Sequence, residues 1–190
     1  LTGLIDVLRR YEVPLVLESG ARSSTAEDTE WQRLLARDGT RVIKAEAGQQ
    51  VRVAPDAVLV VLAPFDDIHG SPRNIHDAMV VVRLEHGNGR ALLMGDAEAP
   101  LERTLIARGT DLRAGILKIG HHGSKTSTLA SLLDAVAPRV AVISAGRRNR
   151  YGHPAQAVLD RLAAANITIL RTDVDGDVEL VSDGRWFARE

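Results

Sequence analysis

Apolar positions change their spacing along this chain of 190 residues, and the changes divide it into elements. Leu1, Leu4, Ile5 and Leu8 recur at helical intervals and predict a helix over 1–10. A short apolar run over 13–17 predicts a strand. Gly20 to Ser24 is a polar loop, after which Thr25 is placed to cap a helix running to Arg37, with Gly39 as its stop. Short β segments follow over 41–45, 50–53 and 57–62, with Gly48 read as a hairpin turn between the first two. Residues 63–74 are a loop rich in Pro, Asp and Gly. Strands over 78–85 and 90–94 then flank His86-Gly87-Asn88-Gly89, a strong hairpin signal.

From Met94 onward the rhythm becomes strand, helix, strand, helix. Helices are predicted over 97–108, 128–136 and from Pro154, at a first helical turn, to about 165. Strands are predicted over 116–119, 140–144, 167–170, 178–181 and 185–188, with turns at Asp175-Gly176 and Asp183-Gly184. The chain therefore reads as one α/β domain, a β meander followed by β-α alternation, with helices covering two sheets.

Composition narrows the chemistry. At 45% hydrophobic and 26% charged, with a net charge of −1, the chain has no global field to recruit a polyanion, so nucleic-acid contact needs a local patch. Aromatics at 3% argue against a surface that stacks many single-stranded bases. Without cysteine, a metal must be held by His and carboxylate.

Three strand ends carry polar residues able to converge. Met94-Gly95-Asp96 closes one strand, where Asp96 can either reach a metal or cap the next helix. Ile116 to Ile119 leads into Gly120-His121-His122-Gly123-Ser124, a histidine pair at the position where α/β proteins build sites. The plain alternative is a turn whose histidines only fill space. Val140 to Ser144 leads into Arg147-Arg148-Asn149-Arg150-Tyr151-Gly152-His153-Pro154, a basic loop before a helix N-terminus, suited to phosphate or simply solvated. Asp96, His121, His122 and His153 form a His/Asp set that suits zinc, manganese or iron and can clamp a phosphoryl group, but is small for a binuclear site. His69, His76 and His86 are read as surface or outer-layer residues, with His76 near enough to approach the site.

Together, 93–98 (Leu-Met-Gly-Asp-Ala-Glu), 117–127 (Leu-Lys-Ile-Gly-His-His-Gly-Ser-Lys-Thr-Ser), 149–154 (Asn-Arg-Tyr-Gly-His-Pro) and 171–177 (Arg-Thr-Asp-Val-Asp-Gly-Asp) resemble the C-terminal metallo-β-lactamase-fold domain of the ComEC family of competence DNA-uptake channel proteins. The resemblance covers essentially the whole chain. It implies an αββα sandwich and a divalent-metal hydrolase acting on DNA phosphodiesters, a nuclease degrading the strand that is not imported. It also implies two zinc or manganese ions in the intact protein. By the same resemblance Asp96 bridges metal, and the His121-His122 pair supplies a late ligand, His122 favoured. His153 contacts phosphate or aids protonation. By the resemblance Ser124, Lys125 and Asn149 line the rim, and the basic loop itself offers Arg147, Arg148 and Arg150 as DNA contacts.

The implied partners are DNA, an upstream membrane channel of the same chain and other competence proteins; the implied location is the extracytoplasmic face of the bacterial membrane. Two departures stand out. The fold's His-x-His-x-Asp-His motif is absent, and would end just before Leu1, so this chain is expected to hold metal partially or not at all. The family's Asn-x-x-Ser reads Asn74-Ile75-His76-Asp77 here. The competing readings are a non-catalytic module that guides DNA or braces the channel, and a hydrolase of another phosphoester or a lactone.

Overall fold

A computed structural model describes residues 1–65, 75–185 and 187–189. Its centre is a seven-stranded sheet of spatial order β3-β4-β5-β6-β7-β8-β9. Strands β3 (Gln50–Ala54), β4 (Ala57–Ala63), β5 (Val81–His86) and β6 (Gly89–Leu93) form the antiparallel half. Strands β7 (Ile116–Lys118), β8 (Val140–Ile143) and β9 (Thr168–Arg171) extend it in parallel from β6. Three helices make the crossovers: α3 (Ala99–Ala107), α4 (Ala130–Val136) and α5 (Gln156–Ala164). The switch from meander to β-α alternation falls at Met94, as the apolar spacing predicts. A parallel pair cannot be joined by a tight turn, so each β-to-α connection is delivered to one end of the sheet. The main core lies between sheet and helices, with Leu92, Met94, Leu105, Leu117, Ile119, Leu132, Ile143 and Leu162 fully buried.

The N-terminal part is organised separately. Helix α1 (Thr2–Arg10) packs on α2 (Ala26–Asp38) through Ile5, Leu8, Trp31, Leu34 and Leu35. Thr25 caps α2 by accepting from the Asp28 amide at 3.2 Å, and Gly39 ends it in the left-handed region at φ 61°. Strands β1 (Leu15–Glu18) and β2 (Arg41–Lys44) pair in parallel around α2. This corrects the hairpin expected at Gly48: the turn exists, with the Gly48 amide donating to the Val61 carbonyl, but β2 takes its ladder from β1 and not from β3. The C-terminal strands β10 (Leu180–Ser182) and β11 (Phe187–Arg189) form a two-stranded antiparallel sheet.

Three other boundaries shift. The strand expected from Ala78 begins at Val81, because residues Ile75–Ala78 form a 3-10 turn. Pro154 precedes the N-cap Ala155 instead of opening α5. Asp175-Gly176 closes a short helix, α6 (Thr172–Asp175). His69 and Asn74 lie outside the described residues. Among the described residues, no helix is long and apolar enough to cross a membrane.

Candidate functional site

Asp96, the histidine pair and His153 all follow the C-terminal ends of neighbouring strands, β6, β7 and β8, where open α/β sheets place ligands. Leu93 and Lys118 are register partners, so the turns after β6 and β7 leave the sheet side by side. The His121 amide donates to the Gly95 carbonyl at 3.1 Å and ties the two turns together.

Backbone conformation then separates the two imidazoles. His121 (φ 44°, ψ 46°) and His122 (φ 55°, ψ 21°) are consecutive left-handed residues. Each costs about 1–2 kcal/mol relative to ordinary backbone, so the surrounding contacts must hold the turn. Gly120 allows this approach, since a Cβ there would stand 2.5 Å from the Ala97 carbonyl oxygen. Gly123 does the same on the far side, where a Cβ would meet Pro154 Cβ at 2.7 Å. Below the turn, Ser127 Oγ donates to the Gly120 carbonyl at 2.9 Å. Glu102, fully buried on α3, accepts from the Thr128 and Leu129 amides, and Arg161 donates to the Thr128 carbonyl. Burial pushes the Glu102 carboxyl above its usual range, against the pull of those two amides and of Arg161 and Arg103.

His122 Nδ1 donates to the Ser144 carbonyl at 2.7 Å. In the neutral ring that bond fixes the tautomer and leaves the Nε2 lone pair facing Asp96 Oδ1 at 3.5 Å. Ser144 is itself held in place, because Thr172 Oγ1 clasps the neighbouring Ala145 by both amide and carbonyl at 2.9 Å. Asp96 is not a helix cap. The N-cap of α3 is Glu98, without a side-chain capping bond. Beside Asp96, burial pushes the Lys118 amine down and the Asp96 carboxylate pulls it back up.

His121 turns to a different group. Its Nδ1 donates to Glu98 Oε1 at 2.8 Å, and Thr126 Oγ1 donates to the same oxygen at 2.7 Å. The Thr126 hydroxyl first, then the His121 bond, holds the Glu98 carboxyl below its ordinary value despite partial burial. His76, from the 3-10 turn, stacks on His121 with ring centroids 4.4 Å apart. Glu98 is not singled out by the sequence, and His76, expected only as an outer-layer residue able to approach the site, stacks directly on His121.

A cleft of about 260 Å³ opens beside His122 and is lined by Ser144, Gly146, Asn149, Tyr151 and His153. His153 lies 5.7 Å from His121, ring to ring, and stacks on exposed Tyr151 at 6.0 Å. Burial first, then the charges of His121 and His122, keeps His153 below the usual histidine range, with Asp96 opposing. Its loop is fixed by Asn149, whose amide donates to the Gly146 and His153 carbonyls and accepts from the His153 amide at 2.9 Å. Removing these bonds, two of them partly buried, costs about 1–3 kcal/mol. Asn149→Ala is therefore expected to lower thermal stability by that amount and to speed hydrogen exchange at the His153 amide; unchanged exchange would remove Asn149 from this role.

Other expected contacts fall outside the cleft. Arg147, Arg148 and Arg150 are exposed on the adjoining loop but do not line it, and Arg150 stands over Tyr151 at 5.6 Å. Lys125 is exposed. Ser124 is buried at 6% exposure, its hydroxyl bound to Thr126 Oγ1 at 2.8 Å, so it braces the turn. His86 lies apart in the β5–β6 hairpin, between Asp56 and Ser182. A larger cleft of about 780 Å³ lies at the ends of α1 and α2, but its lining carries no histidine.

Comparison with known proteins gives the context. The metallo-beta-lactamase superfamily matches over residues 76–147, a span that includes His76, Asp96, Glu98 and the histidine pair. That fold is usually hydrolytic and implies divalent-metal binding. "ComE operon protein 3" of Bacillus subtilis (strain 168) is 30% identical over 173 residues, covering 91% of this chain and 22% of that protein. "Competence protein ComA" of Neisseria gonorrhoeae is 39% identical over 119 residues, covering 60% of this chain and 17% of that protein. This chain thus spans less than a quarter of either relative's length. Among solved structures, a CmlA beta-hydroxylase mutant superposes with a TM-score of 0.49 at 14% identity, covering 82% of this chain and 37% of that one. By these matches the chain belongs to the ComEC family of competence proteins and is its metallo-β-lactamase-fold region.

Proposed function

We propose that this chain is the extracytoplasmic hydrolase domain of a larger membrane protein and cleaves DNA phosphodiesters with a divalent metal. The supporting observation is the pairing of Asp96 Oδ1 with His122 Nε2 at the mouth of the cleft that holds His153. The pair fits a metal: one carboxylate oxygen and one imidazole nitrogen, the latter oriented by a backbone carbonyl. Asp96 and His122 would hold the ion, with further ligands from elsewhere in the protein. When bound, the ion supplies Lewis-acid polarisation of the phosphoryl oxygens.

The chain's own groups do the rest. His153, kept uncharged near neutral pH by burial and its histidine neighbours, can accept a proton within the cleft. Asn149 fixes where that imidazole sits. Arg147, Arg148 and Arg150, exposed beside the cleft, suit a passing phosphate backbone. We also propose that the other competence proteins deliver the DNA.

The test is cleavage of single- and double-stranded DNA by the full protein with zinc or manganese. Activity is expected to vanish on chelation and return with metal. Salt-sensitive DNA binding without any metal-dependent cleavage would favour a guiding module instead, and cleavage of other phosphoesters but not DNA would move the substrate.

A further inference from the structure

We propose that a separate cleft, at the end of the sheet away from the histidines, binds one small phosphomonoester of nucleotide type. This cleft, of about 240 Å³, is lined by Arg90, Arg139 and Arg185 together with Asn88, Ile116 and Phe187. Among the described residues, no carboxylate lines it. Guanidinium forks match phosphate oxygens in pairs, and several around one cleft suit a dianion better than a single carboxylate. The cleft is smaller than the about 300–1,000 Å³ of sites for drug-sized ligands, so it seats a phosphate and one ring, not a longer chain.

Separate places in the fold supply the arginines: β6, the residue before β8, and the connection between β10 and β11. Ala91, Ile116, Val140 and Thr168 stand in one row across β6, β7, β8 and β9. Arg90, Gly115 and Arg139 each come one residue earlier, so the two arginines flank a glycine. Gly115 leaves the gap between them open, since a Cβ there would meet nothing nearer than Arg139 Nη2 and the Arg90 carbonyl oxygen at 3.9 Å. The Arg139 backbone is pinned on both sides: its amide donates to the Gly115 carbonyl at 2.9 Å, and its carbonyl accepts from the Thr168 amide at 3.0 Å. The C-terminal hairpin is tied alongside by the Asn88 amide, which donates to the Gly184 carbonyl at 2.7 Å. A Cβ at Gly89 would stand 3.2 Å from Phe187 Cε2, so an aromatic edge borders the cationic cleft, as a nucleotide's base needs. Glu85 and Asp111 are each shared between Arg83 and Arg90, and one guanidinium carries five N–H donors, so those ion pairs do not exhaust Arg90. Like charges gathered at one cleft repel, and a bound dianion turns that repulsion into attraction. The inference goes beyond the DNA reading and does not depend on it, because Asp96, His122 and His153 follow the opposite ends of these strands.

The experiment is calorimetric titration of the full protein with deoxyadenosine monophosphate, at low salt and with chelator present so that no metal contributes. One equivalent is expected to bind, about tenfold or more tightly than deoxyadenosine, which lacks the phosphate, and more tightly than inorganic phosphate, which lacks the ring. Arg139→Ala and Arg185→Ala should each weaken it about tenfold. Gly115→Glu, which sets a carboxylate between Arg90 and Arg139, should abolish it, whereas Asp96→Asn should leave it unchanged. In the unsubstituted protein, the nucleotide should shift the Gly89, Gly115 and Phe187 amide resonances together, a measurement that needs no variant. The proposal is overturned if deoxyadenosine or inorganic phosphate binds as tightly as the nucleotide, if both arginine variants titrate like the parent, or if those three amides do not respond. It is equally overturned if an oligonucleotide without terminal phosphate displaces the nucleotide one for one, since that marks a groove for a strand. Failure of DNA cleavage with the expected results intact would leave this site standing and sink only the nuclease reading.

Discussion

Asp96→Asn is expected to lower metal-dependent DNA cleavage about a thousandfold, equivalent to ~4 kcal/mol of transition-state stabilisation. The amide keeps the shape of the carboxylate but removes the charge that faces His122 Nε2 at 3.5 Å. It also removes the anion that pulls the half-buried Lys118 amine upward, so the effect falls on binding of cation and phosphate together. His122→Ala should cost about as much, because it takes away the donor that the Ser144 carbonyl orients. Arg148→Ala, by contrast, should change cleavage only several-fold and mainly through the salt dependence of binding, as an exposed phosphate contact does. Single-turnover rates separate these outcomes from effects on DNA affinity. Full activity in both Asp96→Asn and His122→Ala would sink the nuclease reading.

Glu102→Ala is expected to destabilise the protein by about 3–4 kcal/mol, a fall in melting temperature of about 10 °C for a chain of this size. Glu102 is fully buried and accepts from two amides, at Thr128 and Leu129. Truncation leaves both donors without their acceptor, each at about 1–3 kcal/mol, and opens a void in the main core. It also takes away the negative partner of Arg161, which binds the Thr128 carbonyl. Glu102→Gln should fall between, since its amide accepts one bond but sets an NH2 against the other donor. The histidine pair sits directly above this anchor through Ser127 and Gly120, so metal affinity should fall with stability. A loss under 1 kcal/mol in Glu102→Ala would show that the turn is held by other contacts.

Much of the fold is legible in the apolar spacing, because strands of the central sheet leave continuous runs such as Ala57 to Ala63 and Val140 to Ile143. Pairing partners are less legible. The β-branched pair Val42-Ile43 marks β2 as a strand but does not say whether β1 or β3 will bond it, and the parallel β1–β2 pair forms only once α2 folds across. The candidate site divides the same way. Asp96 and His122 stand out because they closely follow apolar runs, and His153 because it closes a basic loop ahead of a helix. Glu98 does not, since an acid at the start of a helix is common for its interaction with the helix dipole. His76 can be placed near the site by its position before a strand, but the short turn that stacks it on His121 has no apolar signature of its own.

The parallel half of the sheet sends every β-to-α connection to one end and every α-to-β connection to the other. Evolution therefore meets two kinds of loop in this chain. Changes after β6, β7 or β8 rewrite ligands and substrate contacts, whereas changes after α3, α4 or α5 alter only how the chain returns to the sheet. A drifting lineage can thus lengthen the latter freely while keeping its chemistry, or exchange its chemistry on an unaltered frame.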